Sequence, residues 1–483
     1  MTTKDLTAIL PELALTALVL LVLTVDLFLR REQKWLLTPL TVIGLGVVGA
    51  TLFAAWGVNQ TVFSGFYRVD DLSVAFKAAS VVIGILATLF APGYLVHRRL
   101  PLGEFNVILL FSLIGMFVLA SSSDLITLFI GLELMVMPAY LLAGFAKMDR
   151  YSNEGGLKYF LLGSFASAII LFGISWTYGL TGSTRISEIG GLVAHGPGGL
   201  IAIAMLTVGS TFKAAAVPFH FWTPDAYQGA PTPITGFLSV GPKLGAFALL
   251  VRLFAEGLGV SGADWFGVMA VLAVLTMTGG NIVALAQTNV KRMLAYSSIA
   301  HTGYIIAALA AFAHTTDLVA RGEAIQSILF YVLGYGVMNI AAFSVVGMLQ
   351  RDPRRFGGLN AFAGLAGRAP AMAAAMAILM LSLTGIPPTV GFFAKLYVLV
   401  ATVDAGVAWL AVAVALNAAL AAFYYLRVIV YMYMREPEAD PAPIEHSPLT
   451  VLALGVSVAG VMLLGIFPDP IINFLRASAA SLF

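Results

Sequence analysis

The sequence predicts an all-α polytopic membrane protein with about fourteen transmembrane helices. Hydrophobic residues make up 60% of the 483 residues and charged residues only 10%, whereas a soluble globular domain carries roughly 25% charged residues. Apolar runs of the length that crosses a bilayer, about 20 residues, recur along the whole chain. These runs are too long and too continuous for the alternating strands of a membrane β-barrel, which span about 10 residues each.

The predicted spans follow one another with short connections, so the chain 1–483 is expected to form a single membrane domain. In chain order they are 7–29, 36–57, 72–96, 104–122, 124–146, 156–180, 198–222, 232–254, 265–286, 294–313, 322–349, 370–401, 406–434 and 447–468. The stretch 370–401 is long for one crossing. The most polar stretches, at 181–197, 351–369 and 435–446, are predicted to be loops.

Charge and composition exclude several function classes. A net charge of +2 without a basic block argues against nucleic-acid binding. The absence of cysteine excludes disulfides, iron–sulfur clusters and thiolate metal sites. We expect neither a metal nor a cofactor in this chain.

When the loops are numbered alternately, one side holds fourteen Lys or Arg residues and the other six. The positive-inside rule therefore assigns the first side to the cytoplasm and both termini to the outside.

Four charged residues fall in the middle of predicted spans on four different helices: Glu133, Lys213, Lys243 and Lys395. An ionisable group at bilayer depth costs at least about 2.5–3.5 kcal/mol, so such groups pair with one another or mark an ion pathway. A structural ion pair explains Glu133 with one lysine and leaves the other lysines unexplained. Lysine releases its proton when buried far more readily than arginine does. The pattern therefore favours proton transfer.

Other charged residues leave two interpretations open. Lys158 lies near the cytoplasmic end of its helix and either joins the relay or extends to the surface. His220 follows Lys213 by seven residues. If the helix continues, both side chains face the same side and His220 could pass protons. If it does not, His220 belongs to a turn. His301 is either a packed histidine or a relay. Lys77 and Arg427 are expected to extend to the membrane surface.

Two spans are interrupted by proline. Pro218 removes the hydrogen bond to the Ala214 carbonyl, and Pro387 with Pro388 frees the carbonyls of Leu383 and Thr384. Non-helical backbone at membrane depth is tolerated only where it faces protein or water. Each break has a lysine nearby, so we expect both breaks to line hydrated cavities. Similar breaks in two halves of a chain also suggest an inverted repeat.

Three motifs carry a family resemblance: TFKAAAVPFHFWTPDAYQGAPTPITGFLSVGPKLGAF, KRMLAYSSIAHTGY and LTGIPPTVGFFAKLY. Together with the rest of the chain they resemble the antiporter-like membrane subunits of respiratory complex I, the proton-translocating NADH–quinone oxidoreductase. The resemblance implies three N-terminal helices over 1–103 and two inverted five-helix repeats at 104–254 and 265–434. A C-terminal helix and tail would fill 447–483. The broken helices would be the seventh and twelfth.

The same resemblance implies a role for individual residues. Glu133, Lys213, Lys243 and Lys395 match the family's relay positions, and His220 matches the histidine of its PFHFWTPD-like motif. Two features separate this sequence from the related chains M and L of the family. Chains of the M type usually carry Glu at the position of Lys395, and chain L has a long extension beyond the position that corresponds to Phe483.

The implied context is a bacterial inner membrane. Expected partners are antiporter-like chain M, small chains such as K, and lipids. NAD, FMN, iron–sulfur clusters and quinone are expected in partner subunits. Subunits of multi-subunit cation/proton antiporters share these motifs and remain the alternative, followed by a membrane-bound hydrogenase subunit.

Overall fold

Helices account for nearly all of the architecture, as expected where the backbone must satisfy its own hydrogen bonds in hydrocarbon. The computed structural model describes residues 3–350, 358–437, 444 and 447–483. The helices of the first half are α1 (Thr3–Ala8), α2 (Leu10–Phe28), α3 (Leu37–Ala55), α4 (Asp71–His97), α5 (Leu102–Ser121), α6 (Leu125–Ala143), α7 (Arg150–Thr181), α8 (Pro197–Lys213), α9 (Trp222–Gly229), α10 (Thr232–Leu238) and α11 (Gly241–Leu250).

The second half continues in the same manner after a π-helical turn at Val251–Gly257. Its helices are α12 (Gly262–Ala286), α13 (Val290–His314), α14 (Leu318–Leu349), α15 (Leu365–Arg368), α16 (Pro370–Thr384), α17 (Val390–Asp404), α18 (Ala408–Met434), α19 (Pro448–Ile466) and α20 (Asp469–Ala480). Among the described residues, twelve helical segments are long and apolar enough to cross a membrane. The predicted all-α polytopic class is confirmed.

The two remaining predicted spans, the seventh and the twelfth, are each broken in two. In the seventh, α8 ends at Lys213 and α9 begins at Trp222. In the twelfth, α16 ends at Thr384 and α17 begins at Val390. Both connections contain a cis X-Pro bond, at Val217–Pro218 and Pro387–Pro388. The prolines therefore interrupt the helices where the sequence predicted.

The eighth span differs from the prediction of one uninterrupted helix over 232–254. It is divided at Ser239 and Val240 into α10 and α11, and Pro242 stands in the first turn of α11. Proline is favoured there because the first turn has no use for its missing amide hydrogen. Lys243 consequently lies beside a third helix break, which the sequence analysis did not anticipate.

The centre of the molecule is formed by α13 and α14, which are buried over most of their length. α10 and α11 are fully buried beside them. α2, α3 and α19 lie at the periphery, with large apolar side chains exposed. Site residues carried by α11 and α13 are thus shielded on all sides by other helices.

A small outer cap covers one end of the bundle. A two-stranded antiparallel hairpin, β1 (Gln60–Val62) and β2 (Tyr67–Val69), pairs Gln60 with Val69. The C-terminal α20 packs against α4 and α14, and Phe474 stacks on Trp56 at 4.5 Å. Arg68 of β2 donates to the carbonyl of Ser481 at 2.8 Å, which fixes the end of α20. The predicted loops at 351–369 and 435–446 lie partly outside the described residues.

Candidate functional site

The first group of buried polar residues joins Glu133 to Lys213 through a serine. Lys213 Nζ donates to Ser167 Oγ at 2.7 Å, and Ser167 Oγ donates to the Glu133 carboxylate. Glu133 is carried by α6, Ser167 by α7 and Lys213 by the last residue of α8. The structure therefore brings together the predicted acid and lysine, with a hydroxyl between them.

Two further acceptors complete the surroundings of Lys213. Its ammonium donates to Tyr140 Oη at 3.1 Å and to the Gly163 carbonyl at 3.0 Å. With Ser167 this gives three acceptors for three N–H donors, as a protonated lysine requires. A Cβ on Gly163 would lie only 2.1 Å from Tyr140 Oη. Glycine at this position is what allows the tyrosine to reach the lysine.

The break after Lys213 connects this group to the next lysine. The Ala214 carbonyl, which the sequence predicted to be freed by Pro218, accepts a hydrogen bond from Thr302 Oγ1 at 2.8 Å. Thr302 Oγ1 in turn accepts from Lys243 Nζ at 2.9 Å. One threonine of α13 thus contacts both the first break and the second buried lysine.

Lys243 has a fully satisfied ammonium as well. Besides Thr302, it donates to Ser298 Oγ at 2.6 Å and to the Ser298 carbonyl. Ser298 and Thr302 are one helical turn apart on α13, so both face α11. Lys213 and Lys243 are each 3% exposed, and Lys395 is 5% exposed. None of the three extends to the surface.

Lys395 lies against the second break. Its ammonium donates to the carbonyls of Leu383 at 3.0 Å and Thr384 at 2.6 Å, the two groups that the prolines were predicted to free. It also lies 5.3 Å from the ring centroid of Tyr304. Gly385 has φ +93°, and a Cβ there would lie 2.9 Å from Lys395 Cδ. The lysine therefore occupies the space that the glycine leaves open.

A histidine surrounded by tyrosines shares α13 with the partners of Lys243. His301 Nδ1 contacts Tyr331 Oη at 2.8 Å, and its Nε2 contacts Tyr425 Oη at 3.0 Å. Tyr425 Oη also contacts Ser297 Oγ at 2.5 Å. The sequence left His301 open between packing and relay. The AYSSIAHTGY motif was the available signal, because its hydroxyls recur at helical spacing.

The two additional predicted site residues lie apart from this group. Lys158, 44% exposed, pairs with Glu154 at 2.7 Å and with Asp225 at 2.8 Å. His220 lies in the break between α8 and α9, so the helix does not continue to it and the alternative of a turn residue is the one observed. It stacks on Phe221 at 4.8 Å, and among the described residues its Nδ1 has no hydrogen-bond partner.

Two of three other basic residues, Lys77 and Arg252, correct the sequence analysis. Lys77 is buried and pairs with Glu12 at 2.8 Å, so it does not extend to the surface. Arg427 donates to the carbonyls of Leu285 and Gln287 and so covers the end of α12. Arg252, counted above among the outer loops, is 1% exposed and binds Asp70 through two nitrogens at 2.7 and 2.9 Å.

Hydroxyl groups contact Glu133, Lys213 and Lys243, whereas Lys395 donates to two backbone carbonyls. Ser167, Ser298 and Thr302 each accept from a lysine, and a hydroxyl can also donate. Such groups can pass a proton when the hydrogen bonds around them reorganise. Within the described ranges, no cluster of three or more His, Asp or Glu residues is placed to hold a metal ion.

Comparisons with known proteins find relatives that match nearly the whole chain. Residues 122–421 match a family model described as "NADH:quinone oxidoreductase/Mrp antiporter, TM". NADH-quinone oxidoreductase subunit N of Trichlorobacter lovleyi is 42% identical over 98% of this chain and 97% of its own length. A chain of respiratory complex I from Thermus thermophilus is 31% identical with a TM-score of 0.82, covering 97% of this chain and 99% of that chain.

A more distant structure shares the fold alone. A chain of the Mrp complex from Dietzia superposes with a TM-score of 0.81 at 20% identity. The match covers 100% of this chain and 98% of the Dietzia chain.

Proposed function

This chain belongs to the family of N subunits of NADH-quinone oxidoreductase, and we propose that it moves protons through the membrane for that enzyme. In this proposal the enzyme's redox chemistry, with NAD, FMN, iron–sulfur clusters and quinone, takes place in partner subunits. The chain itself carries a relay of Glu133, Lys213, Lys243 and Lys395. The observation that carries the proposal is the hydroxyl-linked sequence of contacts from Glu133 through Ser167 to Lys213, and from the first break through Thr302 to Lys243.

Energy considerations agree with this role. Moving one elementary charge across the membrane costs about 2.3 kcal/mol per 100 mV. A hydrogen bond to a charged group contributes about 1.5–3 kcal/mol. Rearranging one or two of the bonds around Lys213 or Lys395 therefore involves the same order of energy as translocating one proton.

A proton step begins at Glu133 and its serine. While Ser167 donates to Glu133 and accepts from Lys213, the carboxylate stabilises the protonated lysine. Displacing or neutralising Glu133 removes that stabilisation and drives a proton toward the Thr302–Lys243 side. Lys395 then receives or releases protons at the second break, and Lys158 and His220 would serve the cytoplasmic approach.

The assembly and its orientation are part of the same proposal. The Lys and Arg bias places both termini outside a bacterial inner membrane. Antiporter-like chain M, small chains such as K, and lipids would be the neighbours. The halves 104–254 and 265–434, which contain the broken seventh and twelfth spans respectively, would act as two inverted half-channels. Identity of 42% to an N subunit favours this reading over a cation/proton antiporter or hydrogenase subunit.

The test uses the assembled enzyme in proteoliposomes, with quinone reduction and internal acidification measured in parallel. Glu133→Gln and Lys395→Met should each lower NADH-driven proton uptake by about tenfold or more, since either change removes a charge from the relay. Glu104→Gln, which changes a half-exposed carboxylate, should have no effect. If both relay variants retain full pumping and turnover, the relay is wrong.

A purely structural role for the charges gives a different result. A scaffold tolerates replacement of both partners of a buried ion pair by apolar residues of similar volume. A Glu133→Met/Lys213→Met double variant that assembles and still pumps would support the scaffold. A sodium gradient that forms in the presence of a protonophore would instead identify sodium as the transported ion.

A further inference from the structure

A large basic cavity opens on the face that the positive-inside bias assigns to the cytoplasm. Its volume is about 760 Å³. It lies between the ends of α4, α6 and α14 and the starts of α5, α7 and α13. Five cationic side chains line it together with one carboxylate among the described residues: Arg98, Arg99, Lys147, Arg150, Lys291 and Asp149. None of these residues belongs to the proposed relay.

Lys291 forms the floor of this cavity and is only 1% exposed. Its ammonium donates to the backbone carbonyls of Ala230 at 2.7 Å and Gln228 at 3.1 Å. A lysine has three N–H donors, and these two bonds go to uncharged acceptors. No carboxylate of the described residues forms an ion pair with this ammonium, and a buried cation of this kind is costly. An anion entering the cavity would relieve that cost.

Helix dipoles add to the positive potential. Three long helices begin at the cavity wall: α5 after Pro101, α7 at Arg150 and α13 just before Lys291. The start of α7 is capped by Asp149 and that of α13 by Asn289, whereas the N-cap residue of α5, Pro101, provides no side-chain cap. Helix starts carry partial positive charge and favour phosphate groups.

The charge of the cavity decides between two uses of such a space. A water-filled entrance for protons would gain from negative charge, because a positive cavity repels hydronium and other cations. Five cations and three helix starts instead favour an anion. Basic pockets between transmembrane helices on the cytoplasmic side are suited to phosphate-bearing head groups.

We propose that this cavity binds a phosphate group, supplied either by the head group of an anionic phospholipid or by a soluble phosphate. Arg99, Lys147 and Arg150 at the rim would attract the anion, and Lys291 at the floor would complete its neutralisation. Bound phosphate would also hold together the helix ends around the cavity.

The experiment uses the assembled enzyme, purified in neutral detergent and freed of loosely held lipid. In one arm, binding of radioactive inorganic phosphate is measured by equilibrium dialysis. In the other arm, the enzyme is placed in nanodiscs of phosphatidylcholine with or without phosphatidylglycerol, re-extracted, and its retained lipid is identified by mass spectrometry. Saturable phosphate binding identifies a soluble ligand, whereas selective retention of phosphatidylglycerol identifies the head group.

A surface double variant tests the site without disturbing the core. Lys147→Gln/Arg150→Gln changes two exposed residues and should weaken phosphate binding or lipid retention about 2- to 30-fold, since two exposed charge contacts are lost. Arg30→Gln/Arg31→Gln removes the same charge from the same face at residues that do not line the cavity and should change neither. Lys291→Met should weaken binding further if it assembles.

Two results would overturn the proposal. In the first, the wild-type enzyme retains phosphate in neither arm. In the second, the cavity variant and the Arg30/Arg31 control bind as well as the wild type.

Discussion

Replacing Ser167 by alanine isolates the link between the acid and the first lysine. The hydroxyl donates to Glu133 and accepts from Lys213 at 2.7 Å, while its Cβ is retained in Ser167→Ala. Lys213 keeps its contacts with Tyr140 and Gly163, so the lysine remains anchored. Only the connection between the two charges is lost.

The magnitude follows from the bonds removed. A hydrogen bond to a charged group contributes about 1.5–3 kcal/mol, and Ser167 makes one to each charge. Loss of even one such bond changes the population of the bridged state about 10- to 150-fold. NADH-driven proton uptake in proteoliposomes should therefore fall by about tenfold or more, with normal amounts of assembled enzyme.

A serine elsewhere in the bundle provides the matched control. Ser112 is buried and donates to the Met135 carbonyl at 3.0 Å, and within the described residues its side chain makes no hydrogen bond to a charged group. Ser112→Ala removes a buried hydroxyl of the same kind and should leave pumping near the wild-type level. If Ser167→Ala and Ser112→Ala reduce proton uptake equally, the reasoning about a charge-linking serine fails.

Two further predictions concern Lys395 and the outer cap. Gly385→Ala should lower pumping and the melting temperature of the assembled enzyme more than Gly406→Ala. Both glycines have positive φ, but only the first Cβ meets a neighbour, Lys395 Cδ at 2.9 Å. Asp70→Asn should cost about 1.5–3 kcal/mol of stability, seen as loss of assembled enzyme, because Arg252 would lose its two-pronged contact with this carboxylate and keep only its ion pair with Glu256. Burial by itself raises the pKa of Asp70, but Arg252 and Arg68 more than offset it and hold that pKa below its ordinary value. The stabilisation is therefore complete above the ordinary carboxyl pKa of about 4 and is lost only as the pH falls through the lowered value. The assignment would be contradicted if the melting temperature of the wild type changed between about pH 5 and 8 while that of Asp70→Asn did not.

The sequence by itself determined the class of the protein, the positions of its spans and the two proline breaks. Length and apolarity are local properties, and a bilayer allows few backbone structures, so these features can be read without knowledge of neighbours. The carbonyls that Pro218 and Pro387–Pro388 leave free were predictable for the same reason. Glu133 and the three lysines stood out because charge is rare at that depth.

Partners across helices were decided only by the tertiary structure. Ser167 lies 34 residues after Glu133 and 46 before Lys213, and no spacing rule relates residues on separate helices. The pairing of Lys77 with Glu12 and the burial of Arg252 against Asp70 were missed for this reason. Hydrophobicity determines which segments enter the membrane, but the packing of their faces determines which polar groups meet.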